Sequence, residues 1–332
     1  MEIVSAEKEN GKVTRKKFSK IGLALSAIFI ISFTLQIILE IIPGLNLSTN
    51  ALVWTSQIAL YAVGFPLFYL ILRRIPEYSS EEKQKLSLKQ FLAFFAVTVA
   101  SMYIFNIVGA VINLIIGNML GSDVINPAQS LVEEMDMTFL VLIVVIIGPI
   151  MEELMFRKVI LNRARVYGEK FAVIFTAFIF GLFHGNFSQF FYAFAIGSVF
   201  AYLCLKTGTI LYSVILHIII NFMGSVLPLA LLKALNSNPA DLENLENINL
   251  EQIEPFLKLF SAYGFFLISA VVAGVVIFFK YRKKLDFNPP LSEYFNIENL
   301  KRKSYINIGM IIFYLICAFQ FVTVILSSYA DL

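Results

Sequence analysis

TFLVLIVVIIGPIMEELMFR, residues 138–157, decides how this chain is read. Residues 138–151 are strongly apolar, and two carboxylates, Glu152 and Glu153, follow where the hydrophobicity falls. Ionisable side chains are costly in hydrocarbon, so where they occur they face a cavity or a partner. The stretch is a membrane helix that carries charge for a reason, or it is an interfacial end just inside a membrane boundary.

The rest of the chain favours a membrane. Of 332 residues, 58% are hydrophobic and only 15% charged, against roughly 25% charged in soluble domains. Apolar runs recur along the whole length, and a spanning helix needs about 20 such residues. Nine spans are expected, at 21–42, 51–72, 90–116, 138–161, 171–187, 188–206, 209–233, 256–279 and 305–328. The fold class is therefore an all-α polytopic transmembrane bundle of eight to nine spans. It divides into an N-terminal tail with peripheral helices (1–137), a core (138–224), and an external loop with C-terminal helices (225–332).

Basic residues set the expected orientation. Of the 26 Lys and Arg, 24 fall in five clusters in alternate segments: 8–20, 73–89, 157–170, Lys206 and 280–303. The remaining two are Lys233 and Lys258. Loops 117–136 and 236–254 hold no Lys or Arg. The positive-inside rule then puts the N-terminus in the cytoplasm and the C-terminus outside. The net charge of +3 follows from this topology and does not call for nucleic acid as a partner. The first apolar run is too long for a cleaved signal and reads as a signal anchor. Cys204 and Cys317 sit in different spans and read as small packed residues, with no disulfide framework. The Leu and Ile spacing of loop 236–254 suits a short surface helix. Pro289-Pro290 breaks any helix in 280–304, a basic segment expected to lie along the inner leaflet.

Three short patterns carry the chemistry. In Glu152-Glu153-Leu154-Met155-Phe156-Arg157, helical spacing pairs Glu153 with Arg157 at i, i+4 and turns Glu152 about 100° away. A carboxylate in a water-poor pocket suits a general base; the alternative is a solvated interfacial face. In Phe180-Gly181-Leu182-Phe183-His184, Phe180 and His184 share a face, and Gly181 admits a neighbouring helix. The alternative is a His bonded to a carbonyl or placed in a turn. In His217-Ile218-Ile219-Ile220-Asn221, an imidazole and an amide share a face and could stabilise an oxyanion. They could equally hold helices together by hydrogen bonds. Counted from the basic loops, His217 lies about 12 Å deep, Glu152 about 16 Å and His184 about 20 Å. One shared cavity open to the cytoplasm is geometrically possible.

In that order, EExxxR, FxxxH and HxxxN on successive membrane elements resemble the CPBP family, the CAAX proteases and bacteriocin-processing enzymes also called Abi. The resemblance spans about 138–224. It implies an intramembrane endopeptidase acting on a membrane-associated peptide or protein, with the lipid bilayer as its solvent. By position it makes Glu152 the base that activates water and His184 a holder of that water or of a metal. His217 and Asn221 become oxyanion stabilisers, and Glu153 and Arg157 supports of Glu152. A zinc or other divalent metal would be held by Glu152, His184 and His217, although no HExxH is present. Two other readings stand beside it: a non-catalytic scaffold or bacteriocin-immunity protein on the same fold, and a proton-relaying transporter, which would call for repeats that the sequence lacks. Richness in Lys, Asn, Ile and Phe suggests an AT-rich bacterial genome and a plasma-membrane location. A leader peptide, signalling peptide or membrane-protein tail is then a better substrate than a prenylated protein. The sequence leaves oligomeric state open.

Overall fold

A computed structural model describes residues 11–42, 47–78, 83–234, 250–290 and 297–330. Among them there is no strand. The helices are α1 (Gly11–Glu40), α2 (Asn50–Leu72), α3 (Leu88–Leu120), α4 (Pro127–Glu134), α5 (Met137–Tyr167), α6 (Glu169–Phe183), α7 (Phe187–Thr207), α8 (Leu211–Leu231), α9 (Leu250–Tyr281), α10 (Ile297–Tyr305) and α11 (Ile308–Ser328). Eight of them are long and apolar enough to cross a membrane, and the protein is a multi-pass membrane bundle.

The expected span at 171–187 is the exception. It is α6, only 15 residues long, or about 22 Å at the α-helical rise. The chain turns there because Gly185 adopts φ +66°. Asn186 then caps α7, its Oδ1 accepting from Gln189 N–H at 2.9 Å. The polar residues 184–186 are thus the reason α6 stops short. The surface helix expected within 236–254 falls mostly on residues 235–249, outside the described residues; from Leu250 the chain belongs to α9. That helix ends at Tyr281, and a 3-10 turn carries the chain to Lys284, before Pro289-Pro290.

Lipid chains are as apolar as leucine, so small residues decide how membrane helices approach. Gly22 of α1 lies against the Gly309 backbone of α11, and the Gly309 N–H donates to Ser19 Oγ at 3.0 Å. Gly274 of α9 meets the Ala96 backbone of α3 in the same way. Around these contacts α5 and α6 build the main core with parts of α1, α2, α7 and α11.

The basic clusters gather at one end of the bundle. Lys17 of α1 sits over the Tyr167 ring at the end of α5. Arg163 donates to the Leu72 carbonyl and pairs with Glu77 at 2.7 Å. Buried Glu169 receives Arg165, Lys206 and the Asn288 backbone N–H. At the other end, Asn50 bonds Asp136 and Ser122 bonds Ser328.

Candidate active site

The helix that carries the acidic pair is wound unevenly. Wide π turns at Leu140–Ile147 and Leu154–Leu161 flank a single α-helical turn, Gly148–Glu153. π segments recur at functional sites because they re-aim side chains. Two more occur here, at Ile58–Gly64 around Tyr61 and at Phe222–Val226 directly after Asn221. In the first of these windings the Gly148 N–H bonds the Ile143 carbonyl, five residues back. The next residue in that register, Pro149, has no N–H, so the Val144 carbonyl would be left open. Asn221 Nδ2 of α8 donates to it at 2.8 Å. One amide hydrogen of Asn221 is therefore used to join α8 to α5.

The neighbouring carboxylates occupy different surroundings. Glu153 is fully buried, with Arg157 Nε at 3.4 Å from Oε2 and His217 Nδ1 at 3.2 Å from Oε1. Ser213, one turn before His217 on α8, lies beside it as well. Glu152 retains 19% side-chain exposure and approaches His217 Nε2 at 3.6 Å. His217 thus sits between the two acids. Its Nδ1–H donates to Glu153, which leaves Nε2 as the nitrogen on the Glu152 side.

His184 reaches this group from the end of α6. The Phe180 carbonyl accepts from its Nδ1 at 2.8 Å. A carbonyl cannot donate, so Nδ1 carries the hydrogen and Nε2 keeps its lone pair. The Phe180 ring is the centre of the assembly. Arg157 stands over it with Cζ 4.8 Å from the centroid, and the His184 and His217 rings meet it edge-on at 4.9 and 6.0 Å. Gly197 of α7 leaves room for this packing, since a Cβ there would come 3.0 Å from Phe180 Cδ1 and 3.3 Å from Arg157 Nη2.

Of the six residues singled out from sequence, Glu152, Glu153, Arg157 and His217 form one contiguous cluster. His184 joins it through Phe180, and Asn221 turns its amide to Val144. Three polar neighbours were missed: Tyr61, Tyr192 and Ser213. Tyr61 and Tyr192 lie within range of the Glu152 charge, and Ser213 extends the α8 stripe to Ser213, His217 and Asn221. The i, i+4 spacing of that stripe was visible in the sequence. No local pattern marks Tyr61 or Tyr192.

The metal reading asks for Glu152, His184 and His217 as ligands. Among the described residues no group of three or more His, Cys, Asp or Glu is arranged to hold a metal ion. As placed, the three side chains do not fit one.

Fold and site together define a polytopic all-α membrane protein that buries a cluster of two carboxylates, two imidazoles and a guanidinium. Residues 134–223 match the family model described as Type II CAAX prenyl endopeptidase Rce1-like. This segment, from the end of α4 into α8, is therefore similar to the CAAX-type proteases of the CPBP family that the three sequence patterns resemble. No curated protein and no solved structure matches the chain.

Proposed function

We propose that this protein is an intramembrane endopeptidase using Glu152 as its general base. The carrying observation is that His217 stands between a partly exposed and a fully buried carboxylate, 3.6 Å from Glu152 and 3.2 Å from Glu153. Only Glu152 has room to meet a water molecule, while Glu153 is committed to Arg157 and His217. Glu152 removes a proton from water, and the water oxygen attacks the scissile carbonyl carbon. His184 Nε2 accepts a hydrogen bond from the same water and orients it. The oxyanion is met by the His217 imidazole, held in place by Glu153, and by the second amide hydrogen of Asn221. Glu152 then passes its proton to the departing amine as the C–N bond breaks. Preorganised donors in a site that excludes water act strongly on developing charge. The bundle core supplies that exclusion.

The substrate class that suits a site at this depth is a membrane-associated peptide or protein tail in extended form. The basic end of the bundle is taken as cytoplasmic by the positive-inside rule. Peptidomics of cells carrying wild type or Glu152→Ala tests the activity, because a protease leaves peptides that disappear in the variant. Identical peptide profiles would leave the non-catalytic scaffold as the better reading. Impermeant thiol labelling of Arg74→Cys and Asp123→Cys tests orientation, with Arg74→Cys expected to react only from the cytoplasmic side. Metal analysis of the purified protein, with and without His217→Ala, tests whether a divalent ion is carried at all. Stoichiometric zinc lost with His217 would bring a metal into the mechanism.

A further inference from the structure

A cavity lies at the basic end of the bundle, with Arg157 in its wall. Its volume is about 200 Å³, and its walls include Lys83, Arg157, Lys158, Asn162, Arg165 and Thr209. Four of these are cations, and no carboxylate lines it among the described residues. Arg165 is already paired with Glu169 at 2.8 Å. Lys83 and Lys158 are exposed and make no ion pair among the described residues.

Arg157 forms the inner wall and is only 1% exposed. Its Nε, Nη1 and Nη2 have no hydrogen-bond partner. Glu153 stands at 3.4 Å from one nitrogen and offsets the charge without taking up the donors. A guanidinium carries five N–H groups in a planar fork matched to oxyanions. Leaving such donors buried and unmade is unfavourable. The ends of α5, α7 and α8 surround the cavity, at the level where basic pockets between membrane helices receive lipid headgroups.

The geometry points to a phosphate-binding site between α5, α7 and α8, with Arg157 as its floor and Lys83 and Lys158 at its rim. The ligand is a phosphate oxyanion, supplied by an anionic phospholipid headgroup or by free phosphate. Its oxygens complete the open donors of Arg157. Because Arg157 also faces Glu153, and Glu153 holds His217, occupancy of this site bears on the position of the imidazole. The inference does not depend on proteolysis, and its test reads binding alone.

The test uses the full-length protein in phosphatidylcholine nanodiscs and follows its thermal unfolding midpoint. One arm adds phosphatidylglycerol to the bilayer, and the other adds inorganic phosphate to the buffer. The wild type is expected to be stabilised, by the lipid alone if a headgroup is the source and by inorganic phosphate as well if the site takes the free ion. Lys83→Gln with Lys158→Gln removes two exposed rim charges and leaves the buried cluster intact. Apparent affinity should then fall about tenfold or more, since hydrogen bonds to charged groups are the strong ones. Lys283→Gln with Lys284→Gln, neither of which lines the cavity, controls for general surface charge and should leave the affinity unchanged. Absence of stabilisation in both arms overturns the proposal. So does an equal response of the rim variant and the wild type, or an equal loss in the control variant.

Discussion

Helices α5 and α9 are equally apolar over their best spanning windows, yet 44% of the first window is buried and only 6% of the second. α5 runs through the centre of the bundle. α9 leans on α3 through Gly274 and on α8 through Tyr263, which donates to the Met223 carbonyl, and shows its other side outward, with Phe265, Ile268 and Val276 exposed. Hydropathy measures the preference for lipid over water. It cannot distinguish a helix surrounded by lipid from one surrounded by other helices, because both surroundings are apolar. What separates the two is the polar content. α5 holds Glu152, Glu153 and Arg157 within its apolar run, whereas the apolar run of α9 holds no acid or base between Lys258 and Lys280. A charge in the hydrocarbon zone must be matched by other side chains, so the charged helix is drawn inward.

The same pair geometry appears in both helices and gives the sharpest contrast. Glu153–Arg157 on α5 and Glu254–Lys258 on α9 are both i, i+4 ion pairs, the first buried and the second largely exposed.

The largest effect is expected at Glu152. Glu152→Gln keeps the shape but cannot accept the proton, and general-base assistance is worth about 10²–10⁴ in rate. Turnover of a cleaved peptide should fall by that amount or to background, with membrane insertion and unfolding midpoint close to wild type. A variant with near-normal turnover would sink the general-base role.

Next comes the buried pair. Arg157→Met leaves Glu153 without its counter-ion, and breaking one partner of a buried pair costs about 3–5 kcal/mol. Unfolding of the purified protein in detergent should register that loss. The comparison fails if Lys258→Met on α9 is equally damaging, since an exposed i, i+4 pair contributes about 0.3–0.5 kcal/mol.

Asn221→Ala should have an intermediate effect, and it divides two roles. Loss of the bond to the Val144 carbonyl costs about 0.6–2 kcal/mol of stability, as interhelical hydrogen bonds in membranes do. Loss of an oxyanion donor costs about 10²–10³ in rate. A stability change with turnover intact would assign Asn221 to helix joining alone.

The smallest effect belongs to the outer face of α9. Ile268→Ala exchanges one lipid-facing aliphatic side chain for another and should leave both the unfolding midpoint and turnover within error. A large destabilisation there would mean that α9 is covered by a partner and not by lipid.

Much of this was legible in the sequence, and the limits have physical causes. The helical class and the approximate spans follow from apolar run length, because the bilayer has a definite thickness. Glu153 with Arg157, and His217 with Asn221, share faces because the helical period brings i and i+4 together. α6 was read as a full span because apolar side chains cross the turn almost without a break; the conformation of Gly185 and the cap at Asn186 end it. The orientation of Asn221 depends on the Val144 carbonyl, 77 residues earlier, that Pro149 leaves open, and that contact exists only once α5 and α8 are side by side.

The sequence by itself determined that this is a membrane bundle, where its charges concentrate, and which six polar residues its membrane core has to accommodate. Composition and periodicity suffice for that, because they act through each segment's own contact with lipid. Only the tertiary structure decided that Glu152 is open while Glu153 is sealed, that Phe180 gathers Arg157 and both imidazoles, and that Tyr61 and Tyr192 come within range of the same carboxylate's charge. These are relations between helices far apart in the chain. They depend on how π turns re-aim side chains and on how closely glycine lets helices approach, and neither is written in the run of apolar residues.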